Sequence, residues 1–224
     1  MIGGMIMELK IKDPGSALTH FIAMLTAMVA ATPLLIKAAS VPGTMHLKAL
    51  SVFIVSMILL YAASTVYHTF DISEHVNKIL RKIDHMMIFI LIAGTYTPVC
   101  LIVLGNKSGY RMLSLVWGIA IVGIIINALW INCPKWFSSV IYIAMGWVCI
   151  MAIRQIVAAL TPAAFTWLLA GGIIYTIGGV IYALKLPIFN SKHKNFGPHE
   201  IFHLFVMGGS FCHYMMMYGY VAAA

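Results

Sequence analysis

The sequence predicts an all-α integral membrane protein of seven transmembrane helices, and three observations carry that prediction. Of the 224 residues, 62% are hydrophobic and only 9% are charged, whereas soluble domains carry about 25% charged residues. The apolar residues gather into seven runs long enough to cross a bilayer, which takes about 20 residues. Between the runs stand segments with turn and loop chemistry. Backbone groups in lipid must be satisfied within their own segment, so the runs read as helices.

The elements follow in order. Residues 1–16 mix Glu8, Lys10, Lys12 and Asp13 with glycines and a proline, and lack the basic-then-apolar pattern of a cleavable signal peptide. Ala17–Ile36 is the first run, closed by Ala39-Ser40-Val41-Pro42-Gly43. Leu47–Phe70 and Ile83–Leu104 follow, the latter ended by Gly105-Asn106-Lys107-Ser108-Gly109. Met112–Ile131 stops at Asn132-Cys133-Pro134-Lys135, and Ser138–Ala159 at Thr161-Pro162. Ala164–Leu184 leads into the polar stretch Asn190-Ser191-Lys192-His193-Lys194-Asn195, and His199–Val221 is the seventh run. No internal repeat is evident, so residues 1–224 read as a single seven-helix domain with a short N-terminal segment. Four dispersed cysteines, Cys100, Cys133, Cys149 and Cys212, form no C-x-x-C pair and read as apolar filler.

The net charge of +8 would raise nucleic acid as a partner in a soluble chain. Here lysine and arginine lie in short loops between apolar runs, which reports topology and contact with anionic lipid instead. Lys10, Lys12, Lys78, Arg81, Lys82, Lys135, Lys185, Lys192 and Lys194 fall on the side of the N-terminus, nine against the five of Lys37, Lys48, Lys107, Arg111 and Arg154. The bias predicts a cytoplasmic N-terminus and a C-terminus outside.

Ionisable groups within spans are costly and mark functional candidates. With that topology, His68 lies in the last turn of helix 2, with Ser64 one turn deeper on the same face. Asp84 and His85 are expected in the first turn of helix 3, and His199 and His203 in the first two turns of helix 7. His20 opens helix 1 in the same leaflet. Three pieces far apart in sequence thus meet at one depth, and the set suits a metal. Zinc takes imidazole nitrogen, and three protein ligands with one open position is the catalytic pattern. His68, His199 and His203 are the expected zinc ligands. Asp84 either binds the metal or, in better accord with such sites, holds and deprotonates a metal-bound water. Ser64 would donate a hydrogen bond to that water or to a developing oxyanion. His85 points roughly 100° away from Asp84 around the helix and reads as a supporting or interfacial residue. His213, about 21 Å along the helix from His199, is too distant to join the site. His46, His75 and His193 are expected in loops. The pairs Gly171-Gly172, Gly178-Gly179 and Gly208-Gly209 are expected to permit close helix contact.

Residues 199–203, "HEIFH", also match the metalloprotease signature H-E-x-x-H. No Asp or Glu follows Glu200, so any further partner must come from upstream. Gly197 and Pro198 place Glu200 near the third position of a helix, where a carboxylate is favoured by the helix dipole. The stretch therefore reads as H-x-x-x-H, with Glu200 a helix-start residue.

The stretches "SMILLYAASTVYHTF", "KIDHMMIFILIAGTYTPVCL", "AMGW" and "HEIFHLFVMGGSFCHY" resemble the bacterial hemolysin III family, the prokaryotic branch of the progestin and adipoQ receptors. The resemblance runs from His20 to about Tyr218, and the combination Ser-x3-His, Asp, His-x3-His is its specific part. The group is also similar to the alkaline ceramidases, proposed to be membrane hydrolases. The resemblance implies a multi-pass protein of the bacterial inner membrane with a cytoplasmic-side zinc site. It places the metal on His68, His199 and His203, a water between metal and Asp84, and Ser64 in the first motif. One departure concerns the acidic stretch that bacterial relatives often carry before the histidine matching His20. Here that segment reads "KDPGSALTH".

Four functions are expected to compete, one of them haem ligation by intramembrane histidines, which the absorption spectrum of the pure protein discriminates. The first is a zinc-dependent hydrolase of a lipid amide or ester, with zinc-bound hydroxide as nucleophile and membrane lipids as substrates. The second is a sensor or regulator of membrane lipid state with structural zinc. The third is a pore-forming hemolysin, which the sparse charge within the spans disfavours.

Overall fold

A computed structural model describes residues 11–130, 135–184 and 197–223. All regular structure among them is helical and forms seven helices. They are α1 (Pro14–Ala39), α2 (Met45–Thr69), α3 (Glu74–Pro98), α4 (Lys107–Leu129), α5 (Lys135–Gly146, continued by Ile153–Ala159), α6 (Pro162–Leu184) and α7 (Pro198–Met216). Six segments are long and apolar enough to cross a membrane, namely α1, α2, Glu74–Leu104, α4, Trp136–Ala159 and α6. The 19-residue α7 is not among them. His199, Glu200, His203 and His213 lower its apolar content.

Helix ends shift by a few residues at several places, and three larger differences from the sequence expectation stand out. α3 begins at Glu74, not Ile83, because Ser73 caps it by accepting from the Val76 N–H at 3.2 Å. The polar residues before Ile83 are helical too, so Asp84 and His85 lie three turns into α3 and not in its first turn. A bilayer run marks where lipid starts, whereas a cap marks where a helix starts. His46 and His75, expected in loops, likewise open α2 and α3. The second difference follows Pro98, where α3 loosens into a π-helical turn, Val99–Leu104, ended by Gly105 at φ +56°. The third lies in α5, which is broken after Gly146 by a 3₁₀ stretch, Val148–Ala152. The Tyr96 phenol mends that break: it donates to Gly146 O at 2.7 Å and accepts from Cys149 N–H at 2.9 Å. Backbone groups freed within a membrane need such a partner. Asn132, Cys133 and Pro134, and residues 185–196 with His193, lie outside the described residues.

Neighbours in sequence pack as neighbours in space, α1 on α2, α2 on α3 and α6 on α7 most extensively, and α7 returns beside α1. That return sets the start of α7 against the end of α2. Helices approach closely where one side offers no Cβ. At Gly209 a Cβ would sit 2.7 Å from the Tyr175 ring, and at Gly178 2.6 Å from Phe205. Gly171 packs against His213, but a Cβ at Gly172 would meet nothing within 4 Å among the described residues, and Gly172 lines a cavity instead. Leu18, Ile22, Leu25 and Val29 form an exposed apolar stripe on α1 while Ala23 and Ala27 are buried behind it, the inside-out pattern of a lipid-facing helix.

Candidate metal centre

His68 closes α2, and His199 and His203 occupy the first two turns of α7. The four-residue spacing puts both α7 histidines on one face. Each of the three residues offers a ligand atom within 4.8 Å of the others, so the group could hold a metal ion. His68 Nε2 and His199 Nε2 are 3.1 Å apart. Tetrahedral zinc with Zn–N bonds of about 2.0–2.1 Å separates its nitrogens by about 3.3–3.4 Å, so the spacing fits.

The hydrogen bonds around the cluster assign the tautomers. His68 Nδ1 stands 2.9 Å from Asp13 Oδ2. A carboxylate only accepts, so Nδ1 carries the proton and Nε2 keeps its lone pair. The Thr19 hydroxyl donates to Ser16 O at 3.0 Å. Its oxygen is then an acceptor for His203 Nδ1 at 3.3 Å, which leaves His203 Nε2 unprotonated. Two buried imidazoles, His68 and His203, thus hold unprotonated Nε2 atoms within one cluster. Such an arrangement suits a cation, and metal-bound histidines are commonly oriented through their other nitrogen.

α1 therefore supplies the supports without supplying a ligand. Lys12 N–H and Asp13 N–H donate to Thr69 O and His68 O at 3.3 and 2.9 Å, binding the segment before α1 to the end of α2. Ser16 Oγ donates to Glu200 Oε1 at 2.5 Å, and Glu200 Oε2 accepts from Gly197 N–H at 2.7 Å. Both Glu200 oxygens are thus engaged at the helix start. His20 stacks on His203 with centroids 3.6 Å apart and planes within 5°. It meets Tyr61 edge-on at 5.0 Å, and neither of its ring nitrogens has a hydrogen-bond partner among the described residues.

Ser64 and Asp84 line the same cavity as His20, His199 and His203. Ser64 lies beside Asp84, and its Oγ is buried. Asp84 Oδ2 is 3.6 Å from His85 Nδ1, and His85 Nε2 reaches Tyr182 Oη at 3.3 Å. His85 is therefore a neighbour of Asp84, nearer than its position around the helix suggested. The cavity, of about 180 Å³, runs from this polar end past mostly apolar walls that include Ile88, Leu91 and Phe165 to His213. On the measure by which one water takes about 10–15 Å³, it is far larger than a water site.

Asp13, Thr19 and Ser16 escaped the sequence reading. The usable signal was Asp13, an acid set directly before Pro14 at the start of α1, in the leaflet assigned to His68. Its partner lies 55 residues away, and no spacing rule joins them.

Comparison with known proteins agrees with the motifs. A family model described as "Haemolysin-III related" matches residues 9–214. The chain is 36% identical over 199 residues to the "Hemolysin-3 homolog" of Bacillus subtilis, covering 89% of each chain. It is 37% identical over 199 residues to "Hemolysin-3" of Bacillus cereus, covering 89% of this chain and 87% of that one. An "Adiponectin receptor protein" of Drosophila melanogaster is 26% identical over 180 residues, which span 72% of this chain and 40% of the receptor. With its helical bundle, its buried histidine group and a match over nearly its whole length, this multi-pass membrane protein belongs to the haemolysin-III-related family.

Proposed function

We propose that the protein is a zinc-dependent hydrolase that cleaves a lipid amide or ester at the cytoplasmic face of the bacterial inner membrane. The observation that carries this reading is one shared cavity, polar at the histidine group, Ser64 and Asp84 and mostly apolar beyond them. His68, His199 and His203 would hold the metal, and an all-imidazole donor set suits zinc. A zinc ion there would polarise a carbonyl oxygen and lower the pKa of water to about 7. Asp84 takes the proton from the attacking water and returns it to the leaving amine or alcohol as the C–N or C–O bond breaks. Ser64 Oγ donates to the carbonyl oxygen as charge gathers on it. The acyl chain occupies the apolar length of the cavity.

The test measures zinc content and lipid turnover on the same purified variants. His68→Ala loses both. Asp84→Asn keeps zinc and loses turnover by about 10²–10⁴-fold, the usual scale of general acid–base catalysis. Full turnover in Asp84→Asn sinks the mechanism. A zinc-clamped sensor of lipid state is the second reading, favoured by ligands drawn from two separate helices, α2 and α7. It predicts that a chelator lowers the melting temperature and that no lipid product forms. The word hemolysin in two relatives' names suggests membrane lysis. Dye leakage from vesicles that survives every metal-site substitution would favour it.

A further inference from the structure

The chemistry of the proposed hydrolase uses only the polar end of the cavity, yet the other end also holds polar groups. His213 lies there, ten residues beyond His203, which is about 15 Å along α7. Half the hydrocarbon core is also about 15 Å deep, the reach of one acyl chain. His213 is 6% exposed and its Nδ1 is buried without a hydrogen-bond partner among the described residues. Its ring is stacked on Tyr175 at 5.4 Å, and both residues line the cavity. Room for this pair is kept by two glycines. A Cβ at Gly171 would lie 2.7 Å from His213 Nε2, and one at Gly209 2.7 Å from Tyr175 Cδ1.

A second count points to the same spot. The Tyr61 hydroxyl donates to Ser210 Oγ at 2.7 Å, and Ser210 Oγ shares a 2.8 Å contact with Tyr175 Oη. Three hydroxyl protons therefore meet two oxygen–oxygen contacts. Whichever way the second bond points, one proton of Tyr175 or Ser210 has no acceptor among the described residues. When Ser210 donates to Tyr175, the surplus proton is on Tyr175, which lines the cavity, and His213 beside it has a nitrogen unpaired among the described residues. Buried polar groups are expensive to leave unpaired, and an oxygen entering the niche would pair them.

We propose that His213 and Tyr175 form a polar subsite for an oxygen carried on the ligand's chain, so that the preferred ligand is an acyl lipid hydroxylated far from its carbonyl. A hydroxyl suits the niche because it can accept the surplus proton and donate to the imidazole. The proposal rests on the reading that the cavity takes an acyl chain.

The experiment measures binding to the purified full-length protein in detergent, with three probes. They are stearate, a stearate hydroxylated in the distal half of its chain, and a stearate hydroxylated beside its carboxylate. Wild type is expected to bind the distal hydroxy acid about tenfold tighter than the other two, the scale of one well-made buried hydrogen bond. In His213→Phe and the ring-conserving Tyr175→Phe, the distal hydroxy acid should bind no tighter than stearate does to the same variant, so the preference is lost. Equal binding of all three acids to wild type overturns this inference alone, as does a preference that survives both substitutions. Binding of none of them overturns the acyl-cavity reading with it. A protein that shows the preference but never turns lipid over supports this subsite and refutes the hydrolase.

Discussion

Asp13→Ala is expected to weaken zinc binding about tenfold while leaving the fold intact. Asp13 Oδ2 accepts from His68 Nδ1 at 2.9 Å, which fixes the tautomer that frees Nε2. Removing such a partner usually costs 10- to 100-fold in metal affinity, about 1.4–2.7 kcal/mol. The Asp13 side chain is 44% exposed whereas that of His68 is 3% exposed. Solvent screening of the exposed partner places the effect at the lower end, about tenfold. The backbone bonds from Lys12 and Asp13 to Thr69 and His68 do not involve the side chain, so the segment stays docked. Asp13→Asn should cost about threefold or less, because the amide oxygen still accepts from Nδ1 and only the charge is lost. Thr19→Val, which removes a longer 3.3 Å contact to His203, should also cost about threefold, and Thr19→Ser should restore binding. Competition against a chromophoric chelator on protein in detergent measures all four. Unchanged zinc affinity in Asp13→Ala, beside complete loss in His68→Ala, would refute the argument that α1 orients the ligands.

Glu200→Gln should retain zinc and turnover and lower stability by about 0.3–1 kcal/mol, the worth of a carboxylate at a helix start. Retained zinc with lost turnover would move Glu200 into the chemistry. Gly94→Ala should destabilise by about 1–3 kcal/mol, since its Cβ would run into the Ser56 side chain. Gly118→Ala meets nothing within 4 Å and should be neutral or stabilising by up to about 1 kcal/mol. Thermal unfolding of both variants in one detergent decides the comparison. Ser73→Ala should cost about 0.5–2 kcal/mol and shorten the protected length of α3 in amide exchange at Val76. Full protection there would mean that the α3 start does not depend on the cap.

The hydropathy runs and loop residues contained the seven helices, because a bilayer demands a minimum apolar length and no open backbone. They also pointed to the meeting of His68, His199 and His203, which the structure groups, because position along a helix is a count of residues from its end. Helix ends and interruptions were less legible. The start of α3 depends on one serine, and the break in α5 is bridged by a tyrosine from α3, whose Oη meets Gly146 some 50 residues away. Neither alters the apolar pattern on which the spans were drawn.

By itself, then, the sequence determined that this is a seven-helix membrane protein and which polar residues share one end of the bundle. Only the tertiary structure decided how they face one another. Rotation about each helix axis, and the return of α7 beside α1, are set by packing between surfaces distant in sequence. That packing brings Asp13 to His68, Thr19 to His203 and Ser16 to Glu200. It also stacks His20 on His203 and extends the cavity as far as His213, a residue that axial distance alone had set apart. Rise per residue gives a position along one axis, and the chemistry of this site depends on the other two.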